Sequence, residues 1–134
     1  MMSSERRETV RVIDSKIGGH PLPIVIGAGS AHAVLWPGNG AHYRTFHLID
    51  LHPGDRTRDL SHASECIYYV ERGNGTIRGL DDDTAQDLVE GSMIHIGTGD
   101  AYRIEAGDAG MRLIGGTVPV DPAFYELSQL EVAR

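Results

Sequence analysis

The sequence contains very little cysteine and no long hydrophobic run. Cys66 is the single cysteine in the chain, so a disulfide framework within the chain is excluded. No apolar run approaches the length that a bilayer span needs, and the N-terminus, MMSSERRETVR, is too polar for a signal peptide. These absences predict a cytoplasmic protein without a membrane partner.

Positive charge is also scarce. Lys16 is the only lysine, and 12 basic residues against 19 acidic ones leave a formal net charge of −7. A surface of this sign repels phosphate backbones, so we expect no nucleic-acid partner. A local cluster of arginines would still allow the protein to bind a small anion.

The chain has the size and composition of one packed domain. It has 134 residues, of which 40% are hydrophobic and 23% charged, with 17 glycines and 6 prolines. This composition favours many turns and short strands over long helices. We predict a flexible polar segment over residues 1–9 and one domain over residues 10–134.

Short alternating or apolar runs, separated by turn residues, fill most of this domain. Turn signals recur at roughly 8–12 residues, the spacing of an all-β sandwich or barrel. The runs are Thr9–Asp14, Leu22–Gly27, His32–Gly38, Tyr43–Leu51, Glu65–Gly73, Gly75–Leu80, Asp87–Gly97, Ala101–Gly107 and Gly110–Val118.

The tail of the chain has a different pattern, which predicts a short helix over Asp121–Val132. Asp121 suits the N-cap of a helix, and Pro122 suits its first position. Apolar side chains recur near one helical face at Phe124, Leu127, Leu130 and Val132.

Strand periodicity suggests which side chains face the interior. In the run around Tyr68, Cys66 and Val70 share one face with this tyrosine, and Ile67 belongs to the other. The preceding run is ambiguous, because both of its faces carry apolar residues. We favour the arrangement in which His47 points inward, with Thr45, Ile49 and Leu51 on the same face.

Two segments carry motifs that resemble those of the cupin family. Pro53–Gly75 contains the Pro-Gly start and the aromatic strand of the first motif, and Glu90–Ile104 resembles the second. Gly97 stands where the second motif usually has proline, and Gly115–Tyr125 looks like the tail of many small bacterial cupins. The resemblance implies an all-β, cupin-type antiparallel β-barrel (a double-stranded β-helix) with a short C-terminal helix. Because open sheet edges in such barrels are commonly covered, we also expect a homodimer.

The resemblance also implies a metal site, which this sequence preserves poorly. Cupins hold a metal with three histidines and one glutamate; the glutamate position falls on Cys66, with Glu65 one position early. Of the histidine positions, one is matched by His62, whereas the others fall on Leu60 and Tyr102. If Fe, Mn, Ni or Zn is bound, His47, His62 and Cys66 would be its ligands. We therefore expect no cofactor, with a divalent metal as the alternative.

Without a metal, the interior still offers a set of acid–base groups: His62, Tyr102, Tyr68 and His47. This set predicts an enzyme that acts on a small polar metabolite by proton transfer, as a lyase, isomerase or cyclase. Two alternatives remain open at this point: a non-catalytic, ligand-binding or sensory cupin, and a metal-dependent cupin dioxygenase. The buried Cys66 thiol should have a raised pKa and so act as a small hydrophobe. His95 should point outward.

Overall fold

The computed structural model describes residues 10–17 and 19–126, and nearly all of its regular structure is β-strand. Short 3₁₀ turns lie at Pro37–Asn39 and Pro122–Glu126. Within the described residues, no helix combines the length and the hydropathy that crossing a membrane requires. The strands are β1 (His20–Pro21), β2 (Val25–Ile26), β3 (Ser30–Leu35), β4 (Phe46–Leu51), β5 (Arg56–Thr57), β6 (Glu65–Gly79), β7 (Thr84–Val89), β8 (Met93–Ile96) and β9 (Tyr102–Val118).

The strands form one antiparallel sheet that curls around the core. The path β1-β3-β4-β9-β5-β2 runs through the long strand β9, which also pairs with β6 from Glu65↔Val118 to Gly79↔Tyr102. Register shifts between Val70 and Arg72, and between Gly73 and Gly75, bend β6 as bulges do. This architecture confirms the predicted all-β, antiparallel barrel fold.

Side-chain alternation in β6 and β4 places the polar residues of interest inside. Cys66 and Tyr68 are fully buried, whereas Ile67 on the opposite face is 37% exposed. In β4, His47 is fully buried and Phe46 is 37% exposed, which settles the ambiguous run in favour of the inward histidine.

Two local predictions were wrong. The Thr9–Asp14 run is not a strand over its described residues 10–14, because Val10 and Val12 are 97% and 93% exposed and do not pair. Over its described residues 121–126, the predicted helix is instead the 3₁₀ turn Pro122–Glu126, in which the Phe124 N–H bonds the Asp121 carbonyl at 3.1 Å. The Asp121 carboxylate accepts a hydrogen bond from the Ala63 N–H at 3.1 Å, which ties this turn to the loop before β6. Residues 1–9, and with them the predicted flexible segment, lie outside the described residues, as do residues 127–134.

A buried carboxylate ties two turns of the barrel together. Asp55, 7% exposed, accepts hydrogen bonds from the backbone N–H groups of Ala28 (3.1 Å), Gly29 (2.7 Å) and His52 (2.9 Å). These bonds hold the pKa of Asp55 below its usual value, against the opposing effect of burial. Gly27 is required at this turn because a Cβ there would overlap the Asp55 carboxylate.

We expect Asp55→Ala to lower the free energy of unfolding by about 3 kcal/mol, because three backbone donors lose a charged acceptor. Asp55→Asn, which keeps one acceptor oxygen, should lose less. Urea denaturation followed by circular dichroism measures both effects. The matched control is Asp108→Ala, at an exposed position of β9. An Asp55→Ala variant as stable as this control would contradict the prediction.

Candidate functional site

Side chains from five parts of the fold converge inside the barrel in a polar cluster. Strands β4, β6 and β9 and the loop before β6 supply residues to it, and the 3₁₀ turn after β9 closes it. Each of these segments is held by the sheet or by hydrogen bonds to it, so the cluster is set by the fold. We call it the interior cluster; its members are His47, His62, Cys66, Tyr68, Tyr102, Asp121, Phe124 and Tyr125.

Both ring nitrogens of His47 are engaged by tyrosine hydroxyls. Nδ1 lies 2.9 Å from the Tyr68 hydroxyl, and Nε2 lies 2.7 Å from the Tyr125 hydroxyl. Because a neutral imidazole has one donor and one acceptor nitrogen, one tyrosine donates to the ring and the other accepts from it. Burial, and secondarily the neighbouring His62, lower the pKa of His47 to about 3. His47 is therefore neutral at pH 7.

His62 lies between a hydroxyl and a carboxylate. Its Nε2 is 2.8 Å from the Tyr102 hydroxyl, and its Nδ1 is 3.6 Å from Oδ2 of Asp121. The second separation is an ion-pair distance and too long for a hydrogen bond. Burial lowers the pKa of His62, and the Asp121 carboxylate opposes this shift. Unlike His47, His62 thus has a negative charge beside it that would stabilise its protonated form.

Phe124 packs between the two histidines. Its ring centroid lies 4.8 Å from that of His47 and 4.6 Å from that of His62. The side chain is 4% exposed, so it closes the barrel on this side and keeps water away from both imidazoles. A low local dielectric of this kind strengthens the electrostatic contacts of the cluster.

The phenols and the thiol of the cluster are protonated at neutral pH. Burial raises the pKa of Tyr68 and of Tyr102 well above the ordinary value. Burial also raises the pKa of the Cys66 thiol to about 12, although hydrogen bonding with the two tyrosines opposes the shift. This agrees with the expected inert thiol and leaves the tyrosine hydroxyls as the hydrogen-bond donors.

The donors of the interior cluster do not fit a divalent metal. The alternative ligand set was His47, His62 and Cys66, but both ring nitrogens of His47 are engaged by tyrosine hydroxyls. Among residues 10–17 and 19–126, no group of three or more His, Cys, Asp or Glu side chains is arranged to hold a metal ion. The dioxygenase alternative therefore lacks a suitable ligand set in the described part of the chain.

A cavity of about 530 Å³ adjoins the cluster. Tyr102 belongs to both, because it lines the cavity and its hydroxyl bonds His62. The other buried residues of its lining are apolar, whereas Thr84, Gln86 and Ser92 add polar side chains and carboxylates stand at the edge. We call it the β7–β8 cavity; its inner wall is formed by Ile77, Leu88, Ile94, Ile96 and Tyr102, and its edge by Asp81, Asp82, Asp87 and Asp100.

The four predicted acid–base residues, His47, His62, Tyr68 and Tyr102, are all buried and form two hydrogen-bonded His–Tyr pairs. The exposed His95 lies outside the cluster, as expected, with Nε2 3.2 Å from Glu65 Oε1.

Sequence reasoning missed the contributions of Asp121, Phe124 and Tyr125 to the cluster. The helix-capping pattern around Pro122 predicts only a local helix start. Nothing in that pattern signals that these side chains reach His47 and His62, far back along the chain.

Comparison with known proteins adds evidence on the fold. No protein-family model and no curated protein sequence matches this chain. A cupin-like protein from Thermotoga maritima superposes with a TM-score of 0.65 at 20% identity, covering 83% of this chain and 81% of that one. A predicted oxalate decarboxylase from the same organism gives 0.66 at 19% identity, covering 82% and 100%. The polyketide cyclase RemF from Streptomyces resistomycificus gives 0.61 at 17% identity, covering 91% and 82%.

Proposed function

This chain has the cupin fold, and we propose that it is an enzyme that uses Tyr102 and His62, without a metal, to move protons on a small polar molecule. The observation that carries the proposal is the Tyr102–His62–Asp121 arrangement beside the β7–β8 cavity. A reactive group held by a base that is itself oriented by a third residue is the common design of acid–base and nucleophilic sites. A cavity of about 530 Å³ falls in the size range of small-molecule sites.

The proposed step is the removal of a proton from a carbon next to a carbonyl group. Tyr102 passes its hydroxyl proton to Nε2 of His62 and takes up the proton of the substrate carbon. The electron pair of the broken C–H bond becomes the enolate. His62 then carries the positive charge, which the Asp121 carboxylate stabilises, and return of the proton to another atom completes an isomerisation, elimination or ring closure.

In this proposal the two histidines have different roles. His47 lies between two hydroxyls with no carboxylate in its hydrogen-bond pattern, so it orders Tyr68 and Tyr125 and stays neutral. His62 faces Asp121 and is the proton carrier. One neighbour of the same fold is a polyketide cyclase, and ring closure of a polyketone begins with this kind of proton transfer.

A second candidate function is small-ligand binding without catalysis. It is favoured by the closure of the interior cluster, in which Phe124 is 4% exposed and the histidines already bond to tyrosines. In this case a molecule in the β7–β8 cavity would contact Tyr102 without exchanging a proton.

Deuterium exchange separates these two functions. The protein is incubated in D₂O with small ketones, hydroxyketones, aminoketones and β-keto thioesters, and loss of the α-proton signal is followed by NMR. We expect enzyme-dependent exchange in at least one of these classes. Tyr102→Phe and His62→Gln should each slow it by about 10²-fold or more, the usual contribution of a positioned acid or base.

Matched substitutions on the outer face serve as controls. Tyr69→Phe, at a side chain 40% exposed, and His52→Gln, at an exposed histidine outside the cavity lining, should leave the exchange rate unchanged. Binding of these compounds without any exchange would contradict catalysis and favour the ligand-binding function.

A further inference from the structure

The β7–β8 cavity lies between two strands that pair with different parts of β6. Strand β7 pairs with Asn74–Gly79 of β6, whereas β8 pairs with Cys66–Tyr69. The space between them reaches the inner face of the barrel, where Leu88, Ile94 and Ile96 are 4%, 7% and 5% exposed. The depth of the cavity is therefore apolar and suits a short hydrocarbon body.

The edge of this cavity is negatively charged. Oδ2 of Asp81 accepts from the Ala101 N–H at 3.1 Å, and Oδ1 of Asp82 accepts from the Thr84 hydroxyl at 2.9 Å. These donors are uncharged, so neither bond pairs an aspartate with a cation, and Asp87 and Asp100 bring the number of aspartates that line the cavity to four.

The arginines near the cavity form ion pairs with carboxylates that do not line it. Arg78 pairs with Glu105 at 3.0 Å, and Arg103 pairs with Asp59 at 2.8 Å. None of the residues that line the cavity is lysine or arginine, and its one histidine, His95, bonds Glu65. A cleft with one sign of charge and apolar walls concentrates ligands of the opposite sign.

We propose that the β7–β8 cavity takes a small organic cation, a primary amine with a short apolar chain, and disfavours carboxylates and phosphates. The ammonium group lies at the aspartate edge, and the chain lies against Ile94, Ile96 and Leu88, beside Tyr102. This assignment names the substrate class of the proposed enzyme and in that sense rests on the proposed function.

Three probes of equal length test the proposal: pentylamine, pentanol and pentanoate. Each is titrated into the protein at pH 7, and the methyl NMR signals of Leu88, Ile94 and Ile96 report binding in the cavity. We expect the ammonium ion to bind about tenfold more tightly than the alcohol, and pentanoate to bind more weakly than either. Added salt should weaken amine binding, because the edge aspartates are exposed.

Two double variants distinguish the effect of charge at the cavity edge from the effect of the protein's net charge. The Asp82→Asn/Asp100→Asn variant should reduce the preference for the amine over the alcohol to about twofold or less. The Asp83→Asn/Asp108→Asn variant makes the same change in net charge at exposed positions outside the cavity lining, and it should keep the preference. Asparagine tolerates the positive φ of 55° at position 83.

Three results would overturn the proposal: no probe shifts the cavity signals, pentanoate binds as well as the amine, or both paired variants change the preference equally. Because binding is measured without turnover, the outcome is independent of the deuterium-exchange test. If the cavity selects the amine but no deuterium exchange is seen, only the catalytic proposal is rejected. If uncharged or anionic compounds exchange and the cavity does not select the amine, only the proposal of a cation-binding cavity is rejected.

Discussion

Replacing Gly115 by alanine is expected to lower the free energy of unfolding by about 4 kcal/mol or more, a loss that only a few mechanisms produce. Gly115 has a φ of +151°, and a Cβ there would overlap the Ile67 carbonyl oxygen and lie 2.9 Å from the Tyr68 Cα. These obstacles are backbone atoms of the neighbouring strand β6, so the side chain cannot be accommodated by rotating a neighbour.

The same glycine lies at the centre of the interior cluster. In the register of the sheet, Gly115 is opposite His47 on one side and Tyr68 on the other. Directly opposed residues share a face of the sheet, so a glycine at this position leaves no side chain between His47 and Tyr68. Gly115→Ala should therefore also disturb the 2.9 Å bond between these residues.

Urea denaturation measures the stability, and Gly99→Ala is the matched control. Gly99 also has a positive φ, +81°, but a Cβ there would meet nothing within 4 Å. In this control, alanine meets only the unfavourable backbone conformation, which should lower the free energy of unfolding by about 1 kcal/mol. Failure of Gly115→Ala to fold would agree with the prediction; a loss equal to that of Gly99→Ala would contradict it.

Acidification should destabilise the native protein through His47. The pKa of this histidine is lowered from 6.5 to about 3 in the folded state, so the unfolded chain binds its proton first as the pH falls. The stabilisation is complete above pH 6.5 and is lost progressively down to about pH 3. The shift corresponds to about 5 kcal/mol in total, and to about 3 kcal/mol between pH 7 and pH 4.

His47→Gln removes this titration and isolates its effect. Carboxylates and His62 contribute to acid sensitivity in both proteins, so the quantity of interest is the difference between two curves of unfolding free energy against pH. The native protein should lose about 3 kcal/mol more than His47→Gln between pH 7 and pH 4. His95→Gln, which changes an exposed histidine, should follow the native curve. Parallel curves for the native protein and His47→Gln would refute the prediction.

Much of the barrel interior could be predicted from single strands. The alternation in Glu65–Gly73 places Cys66, Tyr68 and Val70 on one face, and all three are fully buried. Local alternation is sufficient here because a strand with one buried face has a period of two residues, whatever its partners are. The same rule failed at Thr9–Asp14, whose alternation over residues 10–14 has no strand beside it.

The pairing inside the cluster could not be predicted in this way. His62 and Tyr102 lie in separate segments, and the bridge between Leu60 and Tyr102 brings them together. Asp121 reaches His62 because the chain turns inward after β9, where Pro122–Glu126 form a 3₁₀ turn. The preference of Asp121 and Pro122 for a helix start is weak and is overridden by tertiary contacts.

The sequence by itself determined that this is an all-β chain and which residues of β6 face inward, because turn residues and strand periodicity act over a few neighbouring positions. Tertiary structure alone decided that His47 lies between two tyrosines while His62 faces a carboxylate. That difference depends on how β4, β6 and β9 are aligned and on where the tail folds back. Such alignments are set by contacts between distant segments, which no local pattern encodes.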